Sequence, residues 1–97
     1  MKLTLSSQRW EMVAPFVTAG ETVNYIDVLH VMLEHVGHIG RSETMGVDYS
    51  GETAESLHTE LSALDPRAIA QLDRDAVQTL LPPGGSRNGL DCALWDL

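Results

Sequence analysis

Apolar and polar positions change period once along this chain, near residue 52. Before that point they alternate. Leu3 and Leu5 alternate with Thr4 and Ser6, and Trp10 and Met12 with Arg9 and Glu11, the period of a strand. Pro15 removes a ladder donor and is expected to end that strand, leaving Phe16 to Glu21 as a loop with a glycine hinge. Thr22 to Glu34 is the longest strand-like run. It places Val23, Tyr25, Leu29, Val31 and Leu33 on one face and Ile26, Val28 and Met32 on the other. A strand apolar on both faces calls for cover on each side, because antiparallel strands ordinarily keep one face wet. His35-Val36-Gly37-His38 reads as a turn, Ile39 to Met45 as the returning strand, and Gly46 to Gly51 as a second, polar loop.

From Glu52 the spacing is helical. Ala54, Leu57, Leu61 and Leu64 form one stripe over Glu52 to Leu64, with Glu52 and Glu55 in the first turn, where the helix dipole favours acids. Asp65-Pro66 ends it, and a short turn covers Arg67 to Leu72. Asp73 is a good N-cap for Arg74 to Leu81, with Ala76, Val77, Leu80 and Leu81 inward, and Pro82-Pro83 stops that helix. A last helix starts near Ser86 with Leu90, Ala93, Leu94 and Leu97 on one stripe. No Gly, Asn or Pro stop signal and no basic residue closes that stripe, the pattern of a polypeptide that continues in a larger protein. The predicted fold is α+β: a three-stranded antiparallel meander followed by about three helices packed on one face, in one domain spanning 1–97.

Composition narrows the function classes. At 97 residues the chain supports one domain, burying roughly 60–65% of its unfolded surface. Fourteen acids against six scattered bases give a net charge of −8. There is no basic stripe to neutralise phosphates, which argues against nucleic acid as a partner. No apolar run reaches the ~20 residues of a membrane span, and the N-terminus lacks a signal pattern. The single Cys92 fits a reducing, cytoplasmic setting, and its place in a helix reads as a small core residue rather than a nucleophile.

Candidate chemistry is sparse. His35-x-x-His38 has a chelating pair but no third ligand nearby, so a solvated hairpin tip is the preferred reading. His30 and His58 read as structural. Gly84-Gly85-Ser86 leads into a helix without the Lys-Ser/Thr of a phosphate loop, which leaves helix capping. Asp91 and Asp96 stand about 140° apart round a helix and do not converge. No catalytic residue and no metal ligand is assigned. Trp95 and the outer sheet face are the candidate contact surfaces. They support an alternative in which the chain is a stand-alone interaction module that forms a homo-oligomer through that face.

Three stretches carry a resemblance: Gly37-His38-Ile39-Gly40-Arg41-Ser42-Glu43, Gly51-Glu52-Thr53-Ala54-Glu55-Ser56, and Pro82-Pro83-Gly84 followed by Arg87-Asn88-Gly89-Leu90-Asp91-Cys92-Ala93-Leu94-Trp95-Asp96-Leu97. With the sheet-then-helices order, the chain resembles the N-terminal capping domain of the enolase superfamily (mandelate racemase/muconate lactonizing enzyme group), nearest the dipeptide epimerases and amino-acid racemases. The resemblance implies an isomerase, a racemase or epimerase. Its C-terminal barrel, absent from these 97 residues, holds magnesium and the Lys acid/base groups that abstract a proton next to a carboxylate. It implies that the capping domain lends two loops that close on a small carboxylate substrate, an amino acid or dipeptide. Here they correspond to Phe16, Val17, Thr18, Ala19, Gly20 and Glu21, and to the Met45 to Ser50 stretch with Met45, Asp48 and Tyr49 as contacts. Relatives often carry an Arg in the first loop and a basic or aromatic second loop. Val17, Thr18, Ala19 and Asp48 depart from that and disfavour a substrate ending in Glu. By itself the chain is expected to be inactive, with no cofactor of its own.

Overall fold

The computed structural model describes the backbone of residues 1–18, 21–46 and 51–97, and the side chains of 1–11, 25–46 and 51–97. Three strands, β1 (Lys2–Thr18), β2 (Glu21–His35) and β3 (His38–Thr44), form one antiparallel sheet in the order β1-β2-β3. Four helices follow: α1 (Ala54–Ser62), α2 (Pro66–Ala70), α3 (Arg74–Leu80) and α4 (Gly85–Asp96). The stretch expected as a turn after Asp65 is thus a short helix. Asp65 caps it by accepting from the Arg67 N–H at 2.9 Å, and Pro66 sits where no intrahelical donor is needed.

Register decides which face is buried. Leu3 pairs with Leu33 and Leu5 with Val31, while Leu29 pairs with Thr44. Leu29, Val31 and Leu33 are wholly buried under Leu57, Leu61, Leu72, Val77, Leu81, Leu90 and Ala93 of the helix layer. The expected stripes are the buried ones, with Leu64, Leu80 and Leu94 packed at the margin. The opposite face is only partly closed among the described residues. Val28 is buried and Ile26, His30 and Met32 are half-buried, but Trp10, Ile39 and Met45 are exposed. Tyr25, expected on the core face, lies beyond the helix layer and is 47% exposed.

The first hairpin differs from expectation. Pro15 does not end β1. The ladder slips between Glu11↔Tyr25 and Phe16↔Val23, five residues along β1 against two along β2, and then resumes through Val17↔Thr22 and Thr18↔Glu21. A proline is tolerated inside a strand where the ladder is already interrupted, and the bulge supplies that interruption. Phe16, Val17, Thr18 and Glu21 are therefore strand residues, not loop residues.

The second hairpin closes as expected, His35 pairing with His38 across Val36 and Gly37. Both turn residues have positive φ, 50° and 80°, the geometry that matches strand twist in a two-residue loop. Cys92 is exposed rather than part of the core, its Sγ 3.8 Å from Asn88 Oδ1 on the preceding turn. No helix among the described residues is long and apolar enough to cross a membrane.

Candidate functional site

Strand direction brings the two candidate segments to one end of the sheet. β2 runs from the tip of the first hairpin toward the Val36–Gly37 turn, and β3 runs back, ending at Thr44 opposite Leu29. The β3–α1 connection therefore leaves the sheet at the end where the first hairpin projects. Of the candidate residues, Phe16, Val17, Thr18 and Glu21 lie on the facing strands of that hairpin, with their side chains outside the described set. Ala19, Gly20, Asp48 and Tyr49 lie outside the described residues. Met45 follows β3 directly and is 51% exposed.

The neck of the second segment is closed by the chain itself. A Cβ on Gly46 would lie 2.2 Å from the carbonyl carbon and oxygen of Glu52, an approach that only glycine permits. Glu52 was expected in the first turn of a helix. It instead precedes α1, whose cap is Thr53: Thr53 Oγ1 accepts from the Ser56 N–H and Ser56 Oγ accepts from the Thr53 N–H. The Glu52 carboxylate reaches across to α4, where it accepts from the Gly85 N–H at 3.1 and 3.3 Å. A carboxylate there satisfies a terminal donor and meets the positive end of the helix. Thr44 Oγ1, on the other stem, donates to the Gly85 carbonyl at 3.0 Å. Both stems of the second segment are thus tied to the first turn of α4.

α4 is fastened along β3 by the residues that carry the sequence resemblance. The Arg41 N–H donates to Asp96 Oδ2 at 2.8 Å and Ser42 Oγ donates to the Gly89 carbonyl. Gly40 lies against the Ala93 carbonyl and the Leu97 backbone. Within the Arg-Asn-Gly-Leu-Asp stretch, Gly89 and Leu90 are scaffold: the Gly89 carbonyl accepts from β3 and Leu90 is buried in the core. Asp91 and Asp96 diverge as expected, Asp96 to β3 and Asp91 into a groove lined by Asp73, the cap of α3, and Arg74. Trp95 is 63% exposed with the Arg74 guanidinium 3.3 Å from its ring centre. His58 Nδ1 lies 3.3 Å from Ser62 Oγ on its own helix, a structural contact.

At the root of the first hairpin, Arg9 meets Asp27 in two contacts, Nε to Oδ1 at 2.7 Å and Nη2 to Oδ2 at 3.1 Å. The hydrogen bond from Arg9 holds the Asp27 carboxyl below the usual carboxylate range, and the same bond raises Arg9. Sequence reading missed this pair because Arg9 and Asp27 stand 18 residues apart. Period-2 alternation with a fixed register could have found it. No group of three or more His, Cys, Asp or Glu among the described residues is arranged to hold a metal ion.

Comparison with known proteins places this geometry. The chain matches the family described as mandelate racemase / muconate lactonizing enzyme, N-terminal domain, over residues 1–97. It is 36% identical over 90 residues to the L-Ala-D/L-Glu epimerase of Escherichia coli (strain K12), covering 93% of this chain and 28% of that protein. A solved enolase family member from Agrobacterium tumefaciens with homology to dipeptide epimerases, holding sodium and L-Ala-L-Glu with an ordered loop, superposes with a TM-score of 0.89. It is 29% identical over 98% of this chain and 29% of its own. A solved L-Ala-D/L-Glu epimerase gives 0.86 at 30% identity, over 99% of this chain and 28% of its own. The chain thus spans less than a third of the length of these relatives. Matched along its whole length and in its fold, it belongs to the mandelate racemase/muconate lactonizing enzyme N-terminal domain family, the capping domain of the enolase superfamily, close to the dipeptide epimerases.

Proposed function

We propose that residues 1–97 form the substrate-specificity cap of a magnesium-dependent racemase or epimerase acting on a dipeptide or amino acid. The observation that carries this reading is the convergence of the two candidate segments at one end of the sheet, on a scaffold that matches epimerase N-terminal domains. Deprotonating a carbon next to a carboxylate needs a cation for the developing charge and a dry site. Loops on a rigid platform supply the dryness and the shape, while the barrel supplies magnesium and the acid/base lysines. The chemistry assigned to this chain is binding and exclusion of water. The roles proposed for Thr18 and Tyr49, from residue type alone, are a hydrogen bond to a substrate carbonyl and an apolar contact. Without an Arg at Val17 to Ala19, and with an acid at Asp48, the composition of the two segments favours a dipeptide with a neutral or basic second residue over one ending in Glu. The enzyme works in the cytoplasm.

The test is expression of the complete reading frame that carries residues 1–97, followed by NMR of α-proton exchange in D2O with magnesium over a panel of dipeptides and amino acids. Exchange at one α-carbon is expected from the complete protein and none from the 97-residue chain. No exchange with any member, or turnover by the 97 residues alone, refutes the reading, and preference for Ala-Glu refutes the specificity part. The exposed Trp10, Ile39 and Met45 favour the alternative, a self-pairing interaction module. A discrete dimer on gel filtration together with no exchange would select it.

A further inference from the structure

We propose that Arg9, Asp27 and Tyr25 are positioning residues that set the direction of the distal rungs Phe16↔Val23, Val17↔Thr22 and Thr18↔Glu21 relative to a substrate. This deepens the capping role and rests on it. Three observations converge on these residues. Arg9 and Asp27 face each other in register and pair through two nitrogens. The Arg9 guanidinium also lies 3.9 Å from the ring centre of Tyr25, one row nearer the tip. A planar fork held by a carboxylate on one side and a ring on another has little freedom left, which a lysine could not reproduce.

The second observation is where the cluster sits. Glu11↔Tyr25 is the last pair before the ladder slips around Pro15. Backbone hydrogen bonds alone therefore do not transmit the twist of the proximal sheet to the rungs Phe16↔Val23, Val17↔Thr22 and Thr18↔Glu21. The third is what the helices leave open. A groove of about 550 Å³ separates Ser7, Arg9 and Asp27 from Ala54, His58 and Thr59 of α1. Helix packing thus stops short of the hairpin root, and the cross-strand cluster is the device at hand for orienting what lies beyond. Exposed ion pairs ordinarily contribute little, so the effect belongs to the distal rungs and not to the whole domain.

Amide hydrogen exchange of the 97-residue chain tests this. In Arg9→Met, amides at 16–18 and 21–23 should exchange about fivefold faster while those at 3–7 and 29–33 stay within about twofold of wild type. Tyr25→Phe keeps the ring and should match wild type. Tyr25→Leu and Arg9→Lys should follow Arg9→Met. Equal acceleration of both regions, no change in either, or no protection of the distal rungs in wild type overturns the proposal. In the complete protein Arg9→Lys should raise KM about fivefold with kcat retained, the signature of lost ground-state positioning. An unchanged KM overturns the link to substrate. If the wild-type protein shows no exchange on the panel, the capping role itself fails, while amide exchange still decides whether the cluster orients the hairpin.

Discussion

Replacing Gly40 by Ala should loosen the joint between α4 and β3. An added Cβ would sit 2.1 Å from the Ala93 carbonyl oxygen, 2.6 Å from the Leu97 nitrogen and 2.9 Å from the Leu97 Cα. All three are backbone atoms, so no rotamer change relieves the clash and the end of α4 must retreat by about 1 Å to restore contact distance. That retreat stretches the 2.8 Å bond from the Arg41 N–H to Asp96 past hydrogen-bonding range. Overpacking of this kind costs about 1–3 kcal/mol, and an exposed hydrogen bond adds about 0.5–1 kcal/mol. The alanine offsets about 0.5–1 kcal/mol by restricting the unfolded chain. The net is a loss of about 2 kcal/mol, or about 8–16 °C in Tm for a domain this size. Urea and thermal unfolding followed by circular dichroism measure it. Gly37→Asn is the control, since Gly37 has φ +80 with nothing within 4 Å and asparagine tolerates that region. Asp96→Ala should matter less in the Gly40→Ala background than in wild type, because the same displacement removes its partner. A Gly40→Ala protein within about 0.5 kcal/mol of wild type, or strict additivity with Asp96→Ala, would refute the close-approach account.

Val36→Asn should stabilise the domain by about 1 kcal/mol in the same urea assay, since a β-branched residue is held at φ 50 in an exposed turn. A destabilised variant would contradict the turn geometry. The Arg9–Asp27 contact has a defined pH dependence. The folded Asp27 pKa lies below its ordinary 3.8, so its contribution is complete above that value and is lost as pH falls through the lowered one. The distal-rung difference between wild type and Asp27→Asn should therefore be full at neutral pH and close once pH has fallen below the lowered Asp27 pKa. A difference that persists there points to packing rather than charge.

Three of the four helices were legible because their signals are local. Leu57 and Leu61 recur at helical spacing, and Asp73 announces a start that the structure confirms by accepting from the Ala76 backbone N–H. Asp65, read only as the end of the first helix, also caps the short helix after it by accepting from the Arg67 N–H. Pro15 was the instructive failure: a proline reads as a stop only while the ladder around it is regular, and the slip before Phe16 depends on the partner strand. Glu52 failed for a similar reason. Two residues before a helical stripe it reads as that helix's acid, but its partner is the Gly85 N–H, 33 residues away. Of the candidate site, the residues following β3 and those of the first hairpin were nameable from resemblance. That they emerge at the same end of the sheet follows only from strand order.

Periodicity, breakers and caps are properties of neighbours along the chain, and by themselves they set the order of three strands and helices, the buried stripes and the α+β class. Tertiary structure decided what depends on atoms distant in sequence: the slipped register, the Arg9–Asp27–Tyr25 cluster, the tie from Glu52 and Thr44 to α4, and the close passage of Gly40 beneath that helix. The physical reason is range. Backbone preference and hydrophobic spacing act within a turn or two, whereas hydrogen-bond partners and contact distances exist only once separate elements have been brought together.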